Sequence, residues 1–314
     1  MPPSSPSNQT PVVEIANDAF RLGILPGLGG CITHLTWRHP GGGVGFVDLM
    51  RRADADTVSG ALANGNASAL ACFPMVPFAN RIDGGRLSLG HDPVLVPVNR
   101  PSQNVAIHGF SRAAAWTVTE LGAREMRLQH AFCESGNPYT YLAEQTFTLG
   151  ADRVDCTLSV TNSGDRALPF GIGFHPWFDR TPLATLSLPA RWAFAMDDRQ
   201  MPLEAMPLAD LTGGADTFEI AARLPFDTPL ARWDRTATLT WPERRTQLVI
   251  EGGGALRLVH IFAPASPDVI CIELVSHMPD VVNRRSLAAF GDMAMLEPGE
   301  TLAGSMTLVP GVVG

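Results

Sequence analysis

The stretch Arg153-Val154-Asp155-Cys156-Thr157-Leu158-Ser159-Val160-Thr161 alternates between polar and apolar side chains at every step. Successive side chains of an extended chain point to opposite faces. Val154, Cys156, Leu158 and Val160 therefore share one face, and Arg153, Asp155, Thr157, Ser159 and Thr161 the other. Such a segment reads as a strand with one face in a core and one in water. Residues 141–149, 246–250, 256–262, 269–275 and 301–309 read the same way. Turn-forming clusters lie at Asn162-Ser163-Gly164-Asp165, Gly252-Gly253-Gly254 and Glu297-Pro298-Gly299-Glu300. Together they predict an antiparallel all-β architecture. Residues 53–71, rich in Ala, Asp, Gly, Asn and Ser, break the pattern and read equally as a surface loop or a short helix.

A chain of 314 residues suggests two domains by length alone, but all-β units often run past about 200 residues as one body. No internal repeat or linker-like shift in composition divides it. The expectation is one large β-sandwich over residues 12–314, preceded by a disordered tail at residues 1–11. A chain this long buries roughly 75% of its unfolded surface and needs no covalent staples. The five cysteines, Cys31, Cys72, Cys133, Cys156 and Cys271, are odd in number and form no C-x-x-C, so they read as buried thiols in a reducing compartment. The first eleven residues lack a basic region followed by an apolar one, and no 18-residue apolar run occurs. The reading is a cytoplasmic protein without a membrane partner.

All 23 basic residues are Arg. The absence of Lys excludes Schiff-base aldol chemistry, pyridoxal-phosphate enzymes and the Walker-A phosphate site, each of which needs an amine. A net charge of −8, with Arg clustered no further than pairs, argues against a nucleic-acid partner. The sequence has no H-E-x-x-H, no G-x-G-x-x-G opening a helix and no Cys-His metal spacing. Gly109-Phe110-Ser111-Arg112-Ala113 lacks the second Gly and the strand-to-helix context of a nucleophile elbow. His34 and His39 read as ordinary strand or loop histidines.

Four segments place polar groups where a plain strand or turn would not. In Pro77-Phe78-Ala79-Asn80-Arg81-Ile82-Asp83-Gly84-Gly85, an amide and a guanidinium sit among apolar residues. Arg81 there either holds loop carbonyls or donates to hydroxyls or a carboxylate. In Ile107-His108-Gly109-Phe110, His108 is either a turn histidine or a proton carrier. In Phe170-Gly171-Ile172-Gly173-Phe174-His175-Pro176-Trp177-Phe178-Asp179, a His followed by Pro reads as the end of a strand, leaving the imidazole at the sheet's rim beside two aromatics. Apolar sugar faces stack on such rings, although core packing accounts for them as well. In Val269-Ile270-Cys271-Ile272-Glu273-Leu274-Val275-Ser276, a carboxylate interrupts a strongly apolar strand. Its burial costs several kcal/mol unless it is paired or faces a cleft, and desolvation raises its pKa. A structural ion pair and a poised general base both fit that position.

Taken in this order, these segments resemble the aldose 1-epimerase (galactose mutarotase) family. Residues 77–90, 104–109, 174–178 and 272–283 carry the resemblance, the last with Glu273, Pro279, Asp280 and Asn283. The resemblance implies a large antiparallel β-sandwich of the galactose-mutarotase type (a supersandwich), an open cleft for a small sugar, and no cofactor or metal. It implies Glu273 as general base, His175 as general acid and His108 as an assisting group. Asn80, Arg81 and Trp177 would contact the sugar. A family Asp in a D-x-x-F-like segment matches best at Asp227, where Leu230 stands in place of the usual aromatic; Asp216 is the weaker match. The implied reaction interconverts the α and β anomers of a free aldose. A relative acting on hexose 6-phosphates would need extra cations, which Arg81, Arg112 or Arg284 would supply, and a non-catalytic sugar-binding module is the third reading. Nothing in the sequence selects one sugar or one oligomeric state.

Overall fold

A computed structural model describes residues 12–41, 45–89 and 93–314. The tail expected at residues 1–11 lies outside the described residues. Two large sheets dominate, one of 11 strands and one of nine, and their strand pairs are antiparallel. The nine-stranded sheet runs Thr117–Leu121, Glu125–Cys133, Thr140–Leu149, Val154–Asn162, Thr301–Val312, Thr246–Gly254, Thr236–Trp241, Thr185–Ser187 and Thr217–Glu219. Val154–Asn162 sits inside it, between Thr140–Leu149 and Thr301–Val312, with Val154, Cys156, Leu158 and Val160 buried as the alternation requires.

The 11-stranded sheet builds the site. Its central order is Cys72–Met75, Gly173–Asp179, Val269–Val275, Leu258–Ala263 and Phe226–Ala231. Apolar residues from both sheets, among them Phe174, Phe178, Leu158 and Leu308, form one continuous buried cluster. The molecule is thus an all-β sandwich, as the alternation and the resemblance predict.

Several local expectations need correction. Residues 53–71 contain a helix, Ala55–Asn64, followed by a 3-10 turn at Ala67–Ala69. The Asp54 side chain accepts the Thr57 N–H at 2.8 Å, and Gly65 closes the helix at φ 62°. This Asp cap and left-handed Gly stop are sequence signals for a helix. Gly252-Gly253-Gly254 forms no turn; it continues Thr246–Gly254, paired with the last strand through Gly254↔Gly304. His175 does not end a strand. Gly173–Asp179 runs straight through Pro176, placing the imidazole in the middle of the sheet instead of at its rim. Pro lacks only the donor, so a strand tolerates it where that ladder bond is not made. Cys31, Cys72, Cys156 and Cys271 are buried as read, but Cys133 is exposed because alternation turns it outward at the end of Glu125–Cys133.

Candidate active site

His175 and Trp177 are two residues apart on one strand and so project from the same face, while Phe174 and Phe178 point into the core. The adjacent strand pairs in register, Phe174↔Leu274 and Trp177↔Cys271, which sets Glu273 across from His175. On its other side Glu273 pairs directly with His260. The carboxylate therefore lies between two imidazoles. His175 Nε2 is 3.2 Å from Glu273 Oε1, and the His175 ring stacks on Trp177 with centroids 5.2 Å apart. Arg51 covers the Trp177 ring at 4.4 Å and is tied down by bonds to the Ser68 and Leu70 carbonyls, each 2.6 Å.

The second wall comes from two strained corners. Asn80 and His108 both adopt left-handed backbone, φ 53° and 59°. That conformation costs roughly 1–2 kcal/mol for a residue with a Cβ, although Asn tolerates it better than most. Each corner holds the other: His108 N–H donates to the Asn80 carbonyl at 2.9 Å, and Asn80 N–H donates to His108 Nδ1 at 3.2 Å. Because Nδ1 accepts, the His108 hydrogen sits on Nε2. The next residue, Gly109, is also left-handed, and a Cβ there would collide with the Val76 carbonyl.

A directional hydrogen-bond chain spans the site. Asn80 Oδ1 accepts from the Arg81 backbone N–H at 2.9 Å and from Arg81 Nη1 at 3.2 Å. Its amide nitrogen is thereby oriented to donate to His260 Nδ1 at 3.2 Å, and His260 Nε2 in turn donates to Asp227 Oδ1 at 2.6 Å. The chain aligns Arg81, Asn80, His260 and Asp227 as one unit. Asp280 anchors it from behind: its buried carboxylate accepts the Asp83 N–H at 3.0 Å, Asn283 Nδ2 at 2.6 Å and Arg284 Nε at 3.2 Å. Its own N–H donates to the Arg81 carbonyl at 2.9 Å. Asp280 and Asn283, which helped carry the family resemblance, thus hold the Arg81 strand and do not line the cavity.

All seven side chains expected at the site, Asn80, Arg81, His108, His175, Trp177, Asp227 and Glu273, line one cavity of about 190 Å³. Asp216 is exposed and lies outside that lining. Arg112 and Arg284 are also absent from it; Arg284 is held by Asp280 and the Pro202 carbonyl. His34 and His39 have separate partners, Glu14 and the Arg245 carbonyl. Sequence reading missed His260, Arg51, Arg100 and Phe262. His260 had a signal like that of Glu273, a titratable side chain inside an apolar alternating strand, whereas Arg51 and Arg100 lie in segments without a pattern. Among the described residues, no group of three or more His, Cys, Asp or Glu is arranged to hold a metal ion.

Burial dominates the electrostatics. Desolvation pushes the Glu273 carboxyl from its ordinary 4.5 up to about 7, partly offset by the nearby His260 and Arg81. It holds both His175 and His108 well below the usual imidazole range, helped by neighbouring imidazole and guanidinium charge. Burial is also the largest single influence on Asp227 and opposes its charge, but the His260 hydrogen bond and the charges of His260 and Arg81 together outweigh it and leave that carboxyl below its ordinary value. Two carboxylates in one cleft are thus driven apart, Asp227 ionised and Glu273 poised near neutrality.

The raised group carries a stability cost with a definite sign. Glu273 favours the fold fully below pH 4.5, and that contribution is lost as pH climbs through about 7. The difference is on the order of 3 kcal/mol. Glu273→Gln, which cannot ionise, is expected to melt above the wild type at pH 8, with the gap narrowing toward pH 5. Thermal unfolding at the two pH values checks this; a variant no more stable at pH 8 than at pH 5, relative to wild type, contradicts it.

Four polar atoms of residues that line this cavity, Arg81 Nε, His175 Nδ1, Trp177 Nε1 and Glu273 Oε2, are buried without a hydrogen-bond partner among the described residues. Such atoms are rare in folded proteins and costly. Their occurrence together in one lining sets this cavity apart as a candidate place for polar ligand groups.

Comparison with known proteins agrees with this picture. The profile of the family described as aldose 1-epimerase matches residues 11–311. An uncharacterised Escherichia coli K12 protein, YphB, is 30% identical over 264 residues, covering 78% of this chain and 85% of its own. The fold closely matches a galactose mutarotase-like protein from Clostridium acetobutylicum (TM-score 0.82, 19% identity, 96% of this chain and 95% of the other). It matches a GalM/aldose epimerase homologue from C. elegans equally well (TM-score 0.82, 16% identity, 97% and 99%).

Proposed function

The chain belongs to the aldose 1-epimerase family, and from that premise we propose that it interconverts the α and β anomers of a free aldose. The observation that carries this reading is the 3.2 Å contact of Glu273 with His175 in a cavity whose lining also holds Asn80, Arg81, His108, Trp177 and Asp227. A pyranose must open and reclose to exchange anomers. One group takes the proton from the anomeric hydroxyl while another protonates the ring oxygen, so that the bond between C1 and the ring oxygen breaks. Glu273 as carboxylate fills the first role and His175 Nε2 the second, with the His108 Nε2–H donating to the same region. After half a turn about C1–C2 the transfers reverse and the other anomer forms. Asn80, Arg81 and Asp227 fix the ring through its hydroxyls, and Trp177 offers an apolar face.

The proton inventory makes this reading testable. Glu273 sits near 7 and His175 well below its ordinary value, so between those limits the pair shares one proton. Moving that proton from Glu273 to His175 yields the base and the acid together, and the pair titrates as a unit. The expected pH profile of kcat/KM is flat on the acid side of neutrality and falls about tenfold per unit above pH 7. A rate that instead rises through pH 7 would assign Glu273 a role without a shared proton.

Polarimetry on freshly dissolved α-glucose, α-galactose and pentoses tests the activity itself. Acceleration above the buffer rate is expected; binding without acceleration would favour a non-catalytic sugar-binding module. Hexose 6-phosphates serve as the comparison. Of the three arginines considered for a phosphate, only Arg81 reaches the cavity, and it is engaged by Asn80, which favours the free sugar. Exposed Arg100 stands at the cavity wall, so preferential turnover of the phosphate would locate its partner there.

A further inference from the structure

A second cavity, about 520 Å³, lies at the far end of the strands that carry the acid and base groups. Arg232 follows Phe226–Ala231, Arg257 precedes Leu258–Ala263, and Ser276 follows Val269–Val275; all three residues line it. Along the strands these positions are about 10–16 Å from Asp227, His260 and Glu273. The two cavities share no lining residue.

The chemistry of this second cavity is cationic. Arg232, Arg235 and Arg257 face it in a chain whose net charge is −8. Arg232 Nη2 and Arg235 Nη1 reach only backbone carbonyls, at 3.3 and 3.5 Å. The Arg257 side chain is exposed and has no carboxylate within ion-pair distance among the described residues. The one acid in the lining, Asp292, is taken by both Nη atoms of Arg285, at 2.8 and 2.6 Å. Asp234 turns its carboxylate to the Thr236 N–H at 3.0 Å. Three guanidinium groups therefore share a concave wall with no carboxylate at ion-pair distance among the described residues, which leaves their donors open to an anion.

The backbone sharpens the point. Arg232 and Arg235 adopt φ 60° and 69°, flanking buried Trp233, whose indole N–H is anchored on the Arg257 carbonyl at 2.8 Å. Gly or Asn would meet these left-handed corners at lower cost, so nothing in the turn itself calls for Arg. A guanidinium fork matches phosphate oxygens two at a time. The volume lies within the range of small-molecule sites and is far from the extended basic stripe that nucleic acid requires.

We propose that the cavity formed by Arg232, Arg235 and Arg257 binds a phosphorylated small molecule carrying at least two phosphate charges, at a site separate from the sugar cleft. Calorimetric titration of the full chain with inorganic pyrophosphate at low ionic strength tests it. Saturable binding is expected, weakened about tenfold or more by Arg257→Ala and again by Arg235→Ala, undiminished by saturating sugar, and with the mutarotation rate of Arg257→Ala unchanged. No saturable binding to the wild type overturns the proposal. So does equal affinity in Arg257→Ala, loss of binding in Arg81→Ala alone, or tighter binding of a single-stranded oligonucleotide than of pyrophosphate. Apart from the unchanged mutarotation rate, none of these outcomes depends on whether the protein turns over a sugar.

Discussion

Glu273→Gln lowers the catalysed mutarotation rate by about 10²–10⁴-fold, the range supplied by one positioned acid-base group, while the protein stays folded. Gln matches Glu in size and can still meet His175 Nε2 and the opposite His260, so the sheet is not disturbed. What disappears is a group able to carry a proton. The shared proton of the Glu273–His175 pair goes with it, and the fall in kcat/KM above pH 7 goes too. Polarimetry with a circular dichroism control measures both. A variant within fivefold of the wild type would move the base elsewhere in the cleft, with Asp227 the remaining carboxylate in the lining. The expected gain in stability at pH 8 makes the paired result distinctive: the dead enzyme is the sturdier one. Sites that hold a desolvated carboxylate for catalysis commonly show that trade.

Asp280→Ala is expected to produce the largest loss of stability, about 3 kcal/mol, with a fall in melting temperature of roughly 5 °C or more. Asp280 is 2% exposed, and removing its carboxylate strands the Asp83 N–H, the Asn283 amide and an Arg284 donor together. Its φ of 53° also disfavours Ala. Asp280→Asn keeps an acceptor for the Asp83 N–H and tolerates the left-handed corner, so it should recover more than half of the loss. Because the Asp280 carboxylate also holds the Asp83 N–H on the Arg81 strand, the Ala variant should raise KM for the sugar more than it lowers kcat. Thermal unfolding and polarimetric kinetics on the two variants check this. An Ala variant melting within a degree of wild type would show that the Asn80–Arg81 segment is held by other contacts, of which the Ala79 N–H to His277 Nε2 bond at 3.0 Å is the foremost.

The site residues were legible to different depths. Glu273 and His175 stand out because a polar side chain in an apolar strand demands a reason, and the burial penalty is large enough to make the anomaly informative. His260 carries the same anomaly, but a lone imidazole is cheaper to bury than a carboxylate and therefore signals less. Arg51 offers no local signal. Its role over Trp177 follows from a chain path that returns past Gly173–Asp179. Asp227 was identified through a family likeness with one mismatched position, and its hydrogen bond to His260 depends on two strands lying side by side. The cations are legible only in part: Arg284 is held by Asp280, Arg112 acts on His108 and His175 from outside the lining, and Arg100 and Arg51, which no pattern marks, stand in the lining and over Trp177.

Alternation along the chain determined by itself that the protein is an antiparallel sandwich, because a period of two with one apolar face can be buried only in a layered sheet. It also determined which strands carry odd polar groups, since each anomaly is local. Which groups meet was decided only by the tertiary structure. Glu273 lies between His175 and His260 because the consecutive strands Leu258–Ala263 and Val269–Val275 pair in one particular register with each other and with the distant Gly173–Asp179, and a slip of one residue would turn each of these side chains into the core. The poised carboxyl belongs to that same level of organisation: a pKa near 7 is a property of the water removed by neighbouring strands, and no single stretch of sequence contains it.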